Sequence, residues 1–305
     1  MVRYFIKRLG MMIVALFLIM LLTFTIMHAV PGRPFTNDRK VSPEVEAALN
    51  AKYNLDKPLP EQFLGYLKGI LHGDLGPSFK YIGKEVSDFI KDGFPVSAKL
   101  GVVTLIFVLL AAMPMGILAA VKNGRWQDMM MMGVATIGVT IPSFVIASIL
   151  IYIFSFQLNI LPTYGLDSWK GYILPVIALG GYSVSYIARL MRSSLLEVMG
   201  QDYIRTARAK GLTETKVIVK HGLRNALIPI ITVLGPTVAG LLTGSFVTEK
   251  IFAIPGLGSY FVTSVTHRDY MTIMGVTIFY ATFLMVMTLA VDMFYCLIDP
   301  RIKYE

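Results

Sequence analysis

The chain has 305 residues, of which 55% are apolar and 15% are charged, and its net charge is +9. This apolar excess excludes an ordinary soluble domain and indicates a polytopic membrane protein. The basic residues lie next to apolar stretches and not in one patch, so we expect no nucleic-acid partner. The single cysteine, Cys296, excludes an internal disulfide, and the four scattered histidines lack the spacing of a metal site.

The first predicted span is Leu9–Val30, which follows the basic residues Arg3, Lys7 and Arg8. About 20 residues at ~1.5 Å each are enough to cross a hydrocarbon core of ~30 Å. A cleaved signal peptide is the alternative interpretation, but the apolar run is too long and the following Pro-Gly-Arg-Pro is not a small-residue cleavage site. We therefore assign residues 1–30 to a cytoplasmic N-terminal tail and a first transmembrane helix.

Residues 31–94 are predicted to form an extracytoplasmic helical segment. Ser42-Pro43-Glu44 has the pattern of a helix start, and Gly73 ends a second, apolar helical stripe. That stripe contains Phe63, Leu64, Leu67, Ile70 and Leu71, and a shorter stripe contains Val86, Phe89 and Ile90. Two interpretations stay open, namely helices that lie in the membrane interface and a small cap that docks a partner.

Five more spans are predicted within a transmembrane domain of residues 95–298. The third span contains Gly138-Val139-Thr140-Ile141-Pro142-Ser143, where the proline predicts a kink because it cannot donate a backbone hydrogen bond. Short loops rich in lysine and arginine place both chain ends in the cytoplasm, including the tail 299–305. The spans after the first cover about residues 100–121, 129–156, 171–190, 226–246 and 271–298.

A basic, amphipathic loop of residues 193–225 separates the fourth and fifth spans, and its charge predicts a cytoplasmic location. Asp202 is predicted to cap a short helix that runs to Lys210, and Gly211 to end it in the left-handed conformation. Thr213 is then predicted to cap a second helix that ends near Leu223. On charge alone, an ordinary connecting loop is an equally good interpretation.

Several kinds of chemistry are absent from the sequence. Gly83-Lys84 is not part of a phosphate-binding loop, and we find no hydrolase elbow or zinc-protease helix. Asp292 is the one clear acidic residue within a predicted span, which favours a structural ion pair over a proton relay because a relay needs a chain of such groups. The sequence therefore gives little support to an ion-coupled secondary transporter, which remains an alternative.

The basic loop resembles the coupling loop of membrane subunits of binding-protein-dependent ABC importers. In the family pattern Glu-Ala-Ala-x3-Gly-x9-Ile-x-Leu-Pro, the second alanine corresponds to Ala207, the glycine to Gly211 and the leucine to Leu223. The departures are Arg205, Thr206, His221 and Arg224, and they are similar to the peptide-importer branch, closest to the B-type permease of oligopeptide importers. The same resemblance extends to Ala29-Val30-Pro31-Gly32, Gly73-Asp74-Leu75-Gly76-Pro77-Ser78-Phe79, Phe94-Pro95-Val96-Ser97-Ala98-Lys99-Leu100-Gly101, Ile254-Pro255-Gly256-Leu257-Gly258 and Asp299-Pro300-Arg301.

The resemblance implies an all-α protein with the type I ABC importer permease fold and six transmembrane helices in the bacterial cytoplasmic membrane, surrounded by lipid. It implies an ATP-driven oligopeptide importer, with dipeptide or nickel import as the alternatives. The implied partners are a second homologous permease subunit, two ABC ATPase subunits, an extracytoplasmic peptide-binding protein and the peptide itself. ATP and magnesium would bind to the ATPase subunits, and this chain would be no enzyme and would bind no cofactor.

Two sets of site residues follow. The residues predicted to couple the chain to an ATPase subunit are Asp202, Tyr203, Arg205, Thr206, Ala207, Arg208, Ala209, Lys210, Gly211 and Leu212. Ala207 and Ala209 would let the ATPase surface approach closely, and the basic side chains would contact its rim. The residues predicted to line the substrate path are Thr140, Pro142, Ser143, Thr232, Thr237 and Thr243, with hydrogen bonding to their own helices as the alternative role of the hydroxyls.

Overall fold

The computed structural model describes residues 2–31, 49–81 and 83–298, without the side chains of residues 2–4, 292 and 294–298. The predicted helix start at Ser42-Pro43-Glu44, the side chains of Asp292 and Cys296 and the tail 299–305 lie outside the described part. The helices are α1 Val2–Ala29, α2 Leu59–Leu71, α3 Val86–Val121, α4 Trp126–Thr140, α5 Ser143–Leu150, α6 Trp169–Met199, α7 Asp202–Ala209, α8 Glu214–Lys216, α9 Leu223–Leu242, α10 Phe246–Ile251, α11 Leu257–His267 and α12 Tyr270–Ile298. Two π-helical turns, Ile151–Gln157 and Val217–Gly222, follow α5 and α8.

The described chain has five continuous helical stretches that are long and apolar enough to cross a membrane, and a sixth if the bent pair α4–α5 is one span. The only extended pairing within the described ranges is an isolated bridge between Pro77 and Glu85. The prediction of an all-α protein is confirmed by this helix set, and the predicted six spans agree with it if the bent pair is one span.

The core of the bundle lies between α3, α6 and α9. Its buried side chains include Val108 and Ala112 from α3, Ile187 and Met191 from α6, and Ile230 from α9. Small residues let these helices approach closely, as is typical of membrane helix pairs. A Cβ atom on Gly116 would lie 2.6 Å from the Ala188 carbonyl oxygen, and one on Gly101 would lie 2.3 Å from the Leu241 carbonyl oxygen.

Helix α3 is longer than the predicted second span, because it begins at Val86 and continues through Pro95. The Asp88 carboxylate accepts a hydrogen bond from the Glu85 N–H at 3.0 Å, which fixes the start of the helix. Buried Phe89 packs with Leu257 and Val276 of α11 and α12, so tertiary contacts stabilise the turns before the proline. The residues 86–94 that the sequence assigns to the outer segment therefore belong to the helix of the second span.

The segment 49–81 packs on the end of the bundle where α1 ends and α12 begins. Phe63 and Tyr66 of α2 are buried against Phe24 of α1 and Tyr270 of α12. By contrast, Leu64 and Leu71 of the predicted stripe are 63% and 85% exposed. The segment is thus a cap that docks on its own chain, with some apolar side chains left facing outward.

Two buried carboxylates organise this end of the molecule. Asp269 accepts hydrogen bonds from the Ser78 hydroxyl, the Phe79 N–H at 2.9 Å and the Thr272 hydroxyl at 2.8 Å, and so ties the start of α12 to the cap. Glu249 of α10 is fully buried and accepts a hydrogen bond from the Ser259 N–H, at the first turn of α11. Glu249 lies between the predicted fifth and sixth spans, and the structure buries it because the turn 252–256 folds back over α10.

The predicted kink lies at the predicted position, between α4 and α5, which are bent by 108°. Ile141 has an extended backbone (φ −92°, ψ 125°), as the residue before a proline prefers. The Pro142 nitrogen has no proton to donate to the Gly138 carbonyl, so the helical ladder is interrupted there. The predicted third span is consequently two helices that meet at a sharp bend and not one continuous helix.

Candidate functional site

The basic loop forms a compact unit with a small apolar core of its own. Ile204 and Ala207 of α7 are buried against Val217, and Met199 at the end of α6 packs on the same cluster. Residues 204 and 207 share a face because they are three apart in a helix. The loop is thus attached to both long helices that flank it.

Ala207 therefore lies on the inner face of α7, which differs from its predicted role as an outer contact. Its small side chain permits the approach of Val217 of the same chain, and it is 6% exposed. Ala209 is exposed, as are the other predicted coupling residues. The predicted coupling residues on the outer surface are Asp202, Tyr203, Arg205, Thr206, Arg208, Ala209, Lys210, Gly211 and Leu212.

Arg208 has a partner within the loop. Its guanidinium donates two hydrogen bonds to Glu214, of 3.1 and 2.6 Å, and these bonds raise the pKa of the Arg208 guanidinium. The pair connects α7 to α8 across the turn. Because both side chains are about half exposed, its contribution to stability is modest, but it restricts the angle between the two helices.

The first loop helix ends at the predicted glycine, but the predicted N-terminal caps of both loop helices are not formed. Gly211 has φ +77°, which confirms the left-handed residue that ends α7. Helix α7 begins at Asp202 with Gln201 as its N-cap, and neither Gln201 nor Thr213 makes a side-chain capping bond. The second helix does not end near Leu223, because it continues through the π-helical turn into α9.

A further contact fixes α7 on α9, since the Asn225 amide donates a 2.7 Å hydrogen bond to the Tyr203 hydroxyl. Residues in the loop thus contact the end of α6 and the start of α9. These contacts connect α7 to both of the long helices that flank the loop.

Replacing Gly211 with valine tests this geometry. A β-branched side chain disfavours positive φ, so the variant is expected to misdirect the turn and to reduce the function of the loop. Gly211→Asn is the matched control, because asparagine tolerates the left-handed conformation. The measurement is uptake in proteoliposomes, the activity that the sequence resemblance implies, at an equal amount of assembled protein. Equal uptake by the valine variant and the wild type would show that the turn is not needed.

A bidentate ion pair connects the start of α4 to α6. Arg192 of α6 donates to both carboxylate oxygens of Asp128 in α4, each at 2.7 Å, and also to Asn123 at 2.8 Å. Asp128 is buried, and it accepts a further bond from the Gly124 N–H. The start of the broken span is therefore tied to the helix that ends in the basic loop.

The predicted path residues fall into two groups. Thr140, Pro142 and Ser143 lie at the break, where Pro142 and Ser143 line a cavity of ≈ 250 Å³. The hydroxyls of Thr232, Thr237 and Thr243 in and after α9 donate to carbonyls of their own helix, as the alternative interpretation predicted. The break is thus the stronger candidate for a path, and it also adjoins Tyr182 of α6, which the sequence analysis missed.

The described residues hold no group of three histidine, cysteine, aspartate or glutamate side chains with the arrangement of a metal site. The features that the site does offer are a compact basic loop, a helix break and an ion pair between the helices that carry them.

Comparisons with known proteins agree with this arrangement. The model of the binding-protein-dependent transport system inner membrane component matches residues 112–304, and the model of the N-terminal part of such components matches residues 1–101. The dipeptide transport system permease protein DppB of Bacillus subtilis is 47% identical over 303 residues, which cover 99% of this chain and 98% of that protein. The oligopeptide transport system permease protein OppB is 43% identical in Haemophilus influenzae and 40% identical in Escherichia coli K12, over the whole of both chains.

Among solved structures, the inward-facing MetNI methionine ABC transporter has a chain with a TM-score of 0.56 and 19% identity, covering 69% of this chain and 96% of that one. An amino acid ABC transporter with histidines gives a TM-score of 0.53 over 71% of this chain and 95% of that one. At this identity the likeness concerns the fold, which is that of the type I ABC importer permeases.

Proposed function

We propose that this chain, which belongs to the family of binding-protein-dependent transport system inner membrane components, carries peptides across the bacterial inner membrane. As a member of that family it is a multi-pass permease subunit of an ABC importer, and ATP hydrolysis belongs to separate subunits. Peptide as the substrate is supported by one observation: the chain is 40–47% identical along its whole length to proteins named as peptide permeases. Oligopeptides are our first candidate, and dipeptides are the second because the relative of 47% identity is named for them.

The partners follow from the family and from the shape of the loop. The chain would form the path together with a second, homologous permease subunit and would receive peptide from an extracytoplasmic binding protein. Two ATPase subunits would bind ATP and magnesium, and one of them would hold residues 202–212 in a groove. Closure of the ATPase dimer would then move α7, and with it α6 and α9, as one rigid lever.

ATP-driven uptake tests the function. We expect the purified chain alone neither to bind nor to hydrolyse ATP, since its sequence has no phosphate-binding loop. Reconstituted with the second permease, the ATPases and the binding protein, it should support uptake of a labelled peptide that stops when ATP is replaced by a non-hydrolysable analogue. Uptake that continues without ATP and follows an imposed proton gradient would favour the secondary transporter.

The orientation of the chain is a separate proposal, with both ends in the cytoplasm. In a variant with Cys296→Ser, cysteines at the exposed positions Lys52 and Asp167 should react with an impermeant thiol reagent in whole cells. A cysteine at Lys216, also exposed, should react only after the cells are opened. Labelling of position 216 from outside would show that the topology is inverted and that the loop is not on the side of the ATPase subunits.

A further inference from the structure

The exposed stripe of α6 differs from a surface that faces lipid. Between residues 171 and 193 of this helix, the exposed positions are Tyr182, Tyr186, Arg189 and Ser193. Their spacing of four, three and four places them on one helical face. All four carry a polar group, whereas the exposed positions of α1 include Leu9, Ile13, Leu18 and Leu22, as expected of a helix in contact with acyl chains.

The helix break next to this stripe leaves backbone groups without partners. Within the described residues, the N–H groups of Ser143 and Phe144 make no hydrogen bond, and Pro142 cannot donate to the Gly138 carbonyl. An unpaired backbone group in lipid costs several kcal/mol, so an irregular backbone within the hydrocarbon core occurs only against protein or a water-filled cavity. The break therefore faces away from lipid.

The stripe and the break belong to one surface. The cavity at the break, of ≈ 250 Å³, is lined by Gly138, Pro142 and Ser143 and also by Tyr182. The rings of Tyr182 and Tyr186 are nearly parallel, with centroids 6.4 Å apart. Tyr182 and Arg189 are seven positions apart, which corresponds to about 10 Å along the helix.

Arg189 continues this surface with a positive charge. Its guanidinium donates one hydrogen bond to the Thr136 hydroxyl of α4, at 3.0 Å, and it makes no ion pair among the described residues. A guanidinium has five N–H donors, so most of its capacity is left for a ligand. By contrast, the neighbouring Arg192 is satisfied by Asp128.

We propose that the α6 stripe and the helix break form one wall of the peptide path, and that Arg189 on this wall binds the C-terminal carboxylate of the passing peptide. This inference rests on the proposed peptide import and adds the groups that recognise the substrate. The N–H groups of Ser143 and Phe144 at the break can donate hydrogen bonds to the main-chain carbonyls of a peptide, and every peptide has these carbonyls whatever its sequence. Tyrosine rings offer flat apolar surfaces to side chains of many kinds, and a guanidinium binds a carboxylate in a bidentate manner.

Photo-crosslinking in the whole reconstituted complex tests the wall. We would place p-benzoylphenylalanine at Tyr186 and, as a control, at Leu22 on the lipid-facing side of α1, and supply a radiolabelled peptide with ATP. The expected result is a crosslink to the peptide at position 186 and none at position 22. If position 186 crosslinks only to the second permease subunit or to lipid while uptake proceeds, this face is an interface or a lipid surface and the inference is overturned.

Charge variants test Arg189. A hydrogen-bonded charge contributes roughly tenfold in binding, so Arg189→Gln should lower uptake of a peptide with a free carboxylate by about tenfold, while Arg189→Lys keeps most of it. Thr136→Val removes the intramolecular hydrogen bond and leaves the charge, so it should change uptake less than twofold. Full uptake by Arg189→Gln would remove the carboxylate role. Absence of uptake by the wild-type complex would instead contradict the proposed function itself.

Discussion

Replacing Ala207 with leucine is expected to abolish most of the stimulation of ATPase activity by the loaded binding protein. Ala207 is buried between α7 and the start of the second loop helix, against Ile204 and Val217. Extra methylene groups in such a site cost about 1–3 kcal/mol and displace the neighbouring backbone. The displacement would turn α7 away from α9 and separate the loop from the helices it moves.

The measurement is stimulated ATPase activity and peptide uptake in proteoliposomes, compared at an equal amount of assembled complex. Thr215→Leu is the matched control, because Thr215 is exposed in the same loop and should tolerate the larger side chain. Ala209→Leu distinguishes the outer face of α7 from the inner one. Because Ala209 is exposed, a leucine there would disturb the ATPase contact and leave the loop core intact. If Ala207→Leu assembles and is fully stimulated, the loop is only a positively charged connector.

Replacing Gly101 with alanine is expected to prevent the packing of α3 on α9. The added Cβ would lie 2.3 Å from the Leu241 carbonyl oxygen and 2.8 Å from its carbonyl carbon. No rotamer change can relieve this overlap because both partners are backbone, so the two helices must move apart. We expect a loss at or above the upper end of the ~1–3 kcal/mol range for overpacking.

Thermal unfolding of the detergent-solubilised complex, followed by size-exclusion chromatography, measures this effect. Gly10→Ala serves as the control, because no atom lies within 4 Å of a Cβ atom at this position of α1. The alanine variant at 101 should aggregate at a lower temperature and give less assembled complex, and the variant at 10 should behave as the wild type. Equal melting of the two variants would mean that α3 and α9 are not in close contact.

The tertiary structure decided which side chains of the coupling loop are available to a partner. The sequence pattern placed Ala207 and Arg208 on a contact surface, since a small residue and a basic residue suit one. In the fold, Ala207 contacts Val217 and Arg208 binds Glu214, residues that are 10 and 6 positions away. A helical pattern shows which residues share a face. Which segment packs against that face depends on the path that the chain takes after the helix.

The same reasoning explains the stripe on α6 and the two buried carboxylates. Tyr182, Tyr186 and Arg189 have helical spacing in the sequence, yet their exposure depends on α3, α4 and α9 covering the other faces of the helix. Glu249 and Asp269 lie between the predicted fifth and sixth spans, and their burial depends on the fold: Ser78, far away in the chain, donates to Asp269, and the first turn of α11 donates to Glu249.

The sequence by itself determined the features that depend on local chemistry. The apolar runs determined the number and order of the spans, since about 20 apolar residues are needed to cross the hydrocarbon core. Pro142 determined the break, because it lacks an N–H, and Gly211 determined the end of α7, because only residues tolerant of positive φ suit that turn. The tertiary structure decided which surfaces meet, because close approach at Gly101, burial of Ala207 and exposure of Arg189 all depend on residues far away in the chain.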